Sequence, residues 1–215
     1  MATIVNGAGI KNVKPLTSYN NPFDAIDDFE KAIAKFTGAP FCVATDCCTH
    51  AIELCLRYLK VNWEVGIPAQ TYLSVPMTFH KLGIPYRLMD RSWHLKYRLV
   101  NTPIWDCARL FEENMYCSDQ FECLSFGHTK PFELGRGGAI LLDDEEAYRW
   151  LKRAAYDGRD LKISPWQDQK VFRVGYHYRM TPEECVIGMS RLERGNYKPS
   201  TMVEYPDLRK IEIHL

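Results

Sequence analysis

The chain has 215 residues, 46% hydrophobic and 25% charged, enough for one sizeable core and no obvious surplus for a second. Lys plus Arg and Asp plus Glu number 27 each, so the formal net charge is zero and the general attraction for polyanions that drives nucleic-acid binding is absent. No window approaches the length of a membrane span, and residues 1–7 lack a basic stretch followed by an apolar one, which predicts a cytoplasmic address.

In chain order, residues 24–36 place Ile26, Phe29, Ala32, Ile33 and Phe36 at helical spacing, and Thr37-Gly38 supplies the stop. Residues 41–45 read as a strand and residues 49–59 as a helix with Ile52, Leu56 and Leu59 on one face. Thr49 thus falls at a helix N-terminus, where unpaired backbone N–H groups and the helix dipole favour an anion such as phosphate. A short strand at 64–68, a helix at 71–80 interrupted near Pro76, and a strand at 86–90 follow. The spacing predicts further helices over 145–156 and 181–192, the second opened by Thr181-Pro182-Glu183-Glu184 with a capping-box acid. Strands alternating with helices predict an α/β fold, three layers deep, with a mainly parallel central sheet. Residues 195–215 form a polar tail with a strand-like ending at Ile211-Glu212-Ile213, so the expected division is a core over 1–194 and a tail over 195–215.

The eight cysteines lack paired metal-ligand spacing, and Cys42, Cys47, Cys48 and Cys55 cluster in one strand-turn-helix. They read as small buried residues in a reducing compartment, with no metal site.

Lys130 closes the segment Ser125-Phe126-Gly127-His128-Thr129-Lys130 between two strand-like runs, which makes it a candidate Schiff-base former. Asp106 ends the apolar run Pro103-Ile104-Trp105, where a carboxylate leaving a buried strand is placed to meet a ligand's positive nitrogen. Gly135-Arg136-Gly137-Gly138 then leads into Ala139-Ile140-Leu141-Leu142 and permits close backbone approach. A solvated lysine and a capping aspartate are the structural alternatives for Lys130 and Asp106.

These segments, with Gly175-Tyr176-His177-Tyr178-Arg179-Met180-Thr181, occur in an order that resembles the DegT/DnrJ/EryC1/StrS sugar aminotransferases, from about Phe29 to about Leu192. The resemblance implies the large domain of a fold-type I pyridoxal-phosphate enzyme, working as a homodimer on small molecules. It implies that Lys130 forms the internal aldimine and moves a proton, that Asp106 holds the pyridine nitrogen protonated, and that Tyr72 stacks on the ring. Tyr72 as a core tyrosine is the alternative. The phosphate would be met by Thr49, by backbone groups of Cys48 and Thr49, and by the Ser125 hydroxyl.

Several positions depart from the family pattern. Cys48 stands where a glycine is usual, adding a side chain where backbone would approach the phosphate. Arg109 and Arg136 replace other residues; a clamp for a substrate carboxylate or phosphate is one reading of the pair, and ordinary surface arginines the other. His177 replaces an asparagine that reaches the neighbouring subunit's phosphate. A long insertion between Asp90 and Asp106 and a small C-terminal domain are nearly absent. The expected activity is transfer of an amino group from an amino acid, glutamate in most of the family, to a keto-sugar nucleotide or similar carbonyl. The alternatives are another pyridoxal-phosphate reaction, decarboxylation or elimination, on an amino-acid-like or modified-nucleotide substrate, and a non-catalytic relative that binds a partner.

Overall fold

The computed structural model describes residues 13–212. Residues 1–7, read above as lacking an export signal, and Ile213 of the expected terminal strand lie outside them. The elements are α1 (Asp24–Thr37), β1 (Phe41–Thr45), α2 (Cys48–Tyr58), β2 (Val65–Pro68), α3 (Ser74–Leu82), β3 (Tyr86–Met89), β4 (Tyr97–Arg98), β5 (Ile104–Asp106), β6 (Phe121–Ser125), β7 (Gly138–Leu142), α4 (Glu145–Ala154) and α5 (Pro182–Glu193). Helix α1 ends where Gly38 adopts φ 78°, a left-handed conformation that glycine takes without steric cost. Helix α5 opens on the reciprocal capping box between Thr181 and Glu184. Pro76 does not interrupt α3. It lies in the first turn, where its missing N–H would have had no helical partner, and the helix runs unbroken from Ser74.

The main sheet has the order β1-β7-β6-β5-β4, and β2 and β3 form a separate parallel pair. This sheet is mixed, not mainly parallel as the alternation of elements predicted. Only β5 and β6 are parallel neighbours, while β7 runs against both β1 and β6, and β4 runs against β5. The cause lies in the connections. Parallel neighbours need a crossover, usually a helix, but β6 joins β7 through a loop without a helix and β4 joins β5 through a tight turn at Asn101. An isolated antiparallel bridge, Gly66 to Val100, ties β2 towards the main sheet.

The expected three layers are present, and the period of two along the strands builds them. Val43, Cys123, Ile140 and Leu142 face one side, where they meet Ile52 and Cys55 of α2, Phe79 of α3 and Leu151 of α4. Cys42, Ala44, Leu124, Ala139 and Leu141 face the other, against Phe29 and Ile33 of α1 and Cys185 of α5. Each fully buried side chain of the size of Ile33 or Phe29 contributes roughly 1.5–3 kcal/mol relative to exposure. The eight cysteines are free thiols. Among the described residues, no helix is long and apolar enough to cross a membrane.

The C-terminal segment departs from its expected form. It crosses the carboxyl ends of the strands and finishes in a 3-10 turn at Leu208–Lys210, and Ile211 and Glu212 belong to no strand.

Candidate active site

A cavity of about 460 Å³ opens beyond the carboxyl ends of β5 and β6, the end of an α/β sheet where ligands bind. Asp106 is the last residue of β5 and Ser125 the last of β6, and both line it. Asp106 is 7% exposed. Its Oδ1 accepts from the Ala108 N–H at 2.9 Å and its Oδ2 from the Tyr97 hydroxyl at 2.8 Å. Burial pushes its carboxyl above the ordinary range, against the Ala108 N–H, the Tyr97 hydroxyl and the Lys130 ammonium, which all favour the charged form. A cation at this carboxylate would relieve that cost.

Lys130 lines the same cavity. Its loop is fixed from beneath by two aromatic pegs, Phe126 and Phe132, both fully buried and packed edge to face at 5.3 Å. The Lys130 N–H donates to Gly127 O at 3.1 Å and closes a tight turn. Burial lowers the lysine pKa and Arg109 acts the same way, while Cys48 and Asp106 oppose them. The net fall raises the fraction of free amine, the form that attacks a carbonyl.

The N-terminus of α2 forms a third wall. Thr49 Oγ1 meets Ser74 Oγ at 2.7 Å, so hydroxyls from the first turns of α2 and α3 stand together at the cavity. Cys48 does not fill the space its extra side chain threatened. Its Sγ turns inward, 3.4 Å from Cys123 O and 4.0 Å from Asp106 Oδ1, leaving the first-turn amides of α2 as anion donors. The close approach needs glycine elsewhere, since a Cβ on Gly138 would lie 2.6 Å from Cys48 N and 2.7 Å from Cys47 C.

Tyr72 stands at the rim, 60% exposed, rather than in the core. Arg109 lines the cavity but does not offer the clamp expected of it. Its Nη1 donates to Thr129 O at 2.6 Å, Nε to Thr201 O at 2.9 Å and Nη2 to Thr201 Oγ1 at 3.2 Å, so the guanidinium is occupied by protein oxygens. Arg136 is likewise engaged, its Nη2 lying 2.6 Å from Asp46 Oδ2. His177 lies outside the cavity, exposed, with Nδ1 3.1 Å from Asp157 Oδ2. Asp46, Cys47 and His50 bring one potential metal-ligand atom each within 4.8 Å of one another. Asp46 already bonds His50 at 2.6 Å as well as Arg136.

Sequence reasoning passed over Ser74, Trp93, Tyr97, Val203 and Tyr205, which also line the cavity. Alternation of Tyr97 with Leu99, both buried, was the signal for β4 and for Tyr97. Nothing local marks Trp93 or Tyr205.

A buried acid, a half-buried lysine of lowered pKa, paired hydroxyls at two helix starts and a rim tyrosine fit a phosphorylated pyridine aldehyde. The sequence matches the DegT/DnrJ/EryC1/StrS aminotransferase family over residues 10–91 and 113–198, and the chain belongs to that family. Asp106 and Arg109 fall between the two matched segments. Similar solved structures include the sugar aminotransferase CalS13 from Micromonospora echinospora, at 17% identity and TM-score 0.65, covering 79% of this chain and 60% of that one. NtdA from Bacillus subtilis, with bound cofactor PMP, is 19% identical with TM-score 0.63 over 79% of this chain and 48% of its own. DesI, in the presence of its TDP-sugar product, is 17% identical with TM-score 0.59 over 79% and 53%. At these identities the likeness shows a common fold. The chain spans about 60% of the length of CalS13 and less of the other two. No curated protein sequence matches it.

Proposed function

We propose that the chain is a pyridoxal-phosphate-dependent aminotransferase, moving an amino group from an amino acid, glutamate in the first instance, to a keto-sugar nucleotide or similar carbonyl compound. The observation that carries this reading is that Lys130 and Asp106, 24 positions apart in sequence, line one cavity. Bound pyridoxal phosphate supplies an aldehyde for amine exchange and a ring that withdraws electrons from the neighbouring carbon.

The residues divide that work by position. Lys130 would hold the aldehyde and, once displaced, carry a proton at its Nζ. Asp106 would keep the pyridine nitrogen protonated, because an adjacent carboxylate favours the charged ring. Tyr72 would cover the ring. Thr49, Ser125 and the first amides of α2 at Cys48 would receive the phosphate, with Ser74 beside Thr49. Arg109 would position the lysine loop through Thr129. The exposed place of His177 suits a residue that serves the site of a second copy in a homodimer. The free thiols suit a reducing compartment such as the cytoplasm.

Arg109 and Arg136 are both bonded within the protein, so neither supplies the free arginine clamp that, with the shortened chain, motivated the decarboxylation and elimination alternatives. Single-turnover reaction of the cofactor-loaded protein with glutamate tests the choice. Stoichiometric release of 2-oxoglutarate is expected; release of carbon dioxide instead would replace transamination with decarboxylation, and no product at all would favour a binding protein.

A further inference from the structure

We propose that residues 200–208 are a strap forming the outer wall of the cavity, and that Tyr205 is its positioning residue, setting the rim ring of Tyr72. The role given to Tyr72 rests on the functional reading above; the placement of the strap does not.

The strap is tied at both ends. At its start, Arg109 holds Thr201 through the carbonyl and the hydroxyl, and the Phe111 N–H donates to Ser200 Oγ at 3.0 Å. At its end, the Leu208 N–H donates to Ala69 O at 2.9 Å, Asp207 bridges to Gln70, and the Leu208 side chain is buried. Ala69 and Gln70 immediately precede Thr71 and Tyr72, so the strap is anchored on the segment that carries the rim ring. Between the anchors, Val203 and Tyr205 face the cavity. The Tyr205 ring lies over Trp93 at 6.0 Å and 24°, and meets the edge of Tyr72 at 6.4 Å and 64°. Burial raises the Tyr205 pKa, and Asp106 acts in the same direction while Arg109 opposes it.

Tyr72 projects into solvent, and a ring so placed samples several rotamers unless a neighbour limits it. Tyr205 is that neighbour. Arg109 joins the strap to the lysine loop by bonding Thr201 on one side and Thr129 on the other, so wall and lysine share one anchor. Trp93 and Tyr205 both lie outside the segments that match the family, so the family likeness does not account for this wall.

The test uses full-length protein in two arms. In the first, pyridoxal phosphate is titrated into wild type, Tyr205→Phe and Tyr205→Ala. The phenylalanine variant should bind as wild type does, since ring contact and not the hydroxyl is invoked. The alanine variant should bind roughly tenfold more weakly, while its thermal midpoint in the absence of cofactor falls only slightly. Equal affinity in all three overturns the positioning role. In the second arm, without cofactor, cleavage after Glu204 by a glutamate-specific endoproteinase should be slow in wild type and at least several-fold faster in Arg109→Gln and in the milder Ser200→Ala. Cleavage of the native chain as fast as that of the denatured chain overturns the strap. Failure of wild type to bind the cofactor would defeat the functional reading and the role of Tyr205 towards it, and the cleavage arm would still decide whether the wall exists.

Discussion

The Tyr97 hydroxyl donates to Asp106 Oδ2 at 2.8 Å and lies 2.6 Å from Thr71 Oγ1, so the acid at the floor of the cavity is held by a buried phenol that is itself held by a second hydroxyl. Tyr97→Phe removes the middle of that chain. The buried Thr71 hydroxyl then loses its partner, at a cost of about 1–3 kcal/mol. The Tyr97 hydrogen bond lowers the Asp106 pKa, so its loss makes the carboxylate easier to protonate. Cofactor affinity measured against pH should show its acid limb displaced to higher pH in the variant, and an unmoved limb would remove Tyr97 from the site.

Asp106→Asn preserves shape and removes charge. The Ala108 N–H can still donate to the amide oxygen, and the Tyr97 hydroxyl can turn to accept from the amide nitrogen, but the pyridine nitrogen loses the charge that keeps it protonated. Reaction with glutamate should slow by roughly two orders of magnitude or more, with a much smaller loss of thermal stability. The discriminating measurement is single-turnover kinetics beside a melting curve. A variant that melts early yet reacts at the wild-type rate when folded would assign Asp106 to structure alone.

Much of the layered architecture was legible because the strands and helices carry their own periodicity. The strand at 41–45 was placed to the residue, and the helix that became α5 announced itself through Thr181 and Glu184. The sheet's mixed direction was not read, although the clue was present: no helical stretch separates Ser125 from Gly138. Asp106 and Thr49 could be singled out because one ends a strand and the other lies in the first turn of a helix, and Lys130 because it lies on the loop between two strands. Tyr205 and Trp93 could not, because their place depends on a non-local path set by Arg109 and Ala69. The inward turn of Cys48 was equally hidden, since it depends on Cys123 O across the sheet.

His50 provides a pH-dependent contribution to stability. Burial alone would lower its pKa, but its hydrogen bonds to the Asp46 carboxylate and the Cys47 thiol outweigh that and push it up to about 9, from 6.5 for the free side chain. A group whose folded pKa is raised stabilises fully below the unfolded value and loses that contribution as pH climbs through the folded one. The contribution should therefore be complete below about pH 6.5 and gone above about pH 9. Denaturant midpoints compared across that window should fall more in wild type than in His50→Gln. A parallel fall in both proteins would mean that another group is responsible.

Gly138→Ala tests the packing behind the phosphate seat. The added Cβ would meet backbone on both sides, at 2.6 Å from Cys48 N and 2.7 Å from Leu124 O, and neither can rotate away. A loss of about 1–3 kcal/mol or more is expected, read as a lowered melting midpoint. Displacement of the α2 start should also weaken cofactor binding beyond what the midpoint explains. Wild-type values for both would show that the contact between β7 and α2 relaxes freely.

The most direct measurement is a chemical trap at Lys130. Full-length protein is incubated with pyridoxal phosphate, reduced with borohydride, digested and mapped by mass spectrometry, with Lys130→Ala in parallel. One dominant phosphopyridoxyl modification is expected, on the peptide containing Lys130, and it should be lost in the variant. Modification scattered over surface lysines in both proteins, or no cofactor-derived mass at position 130, would contradict this expectation.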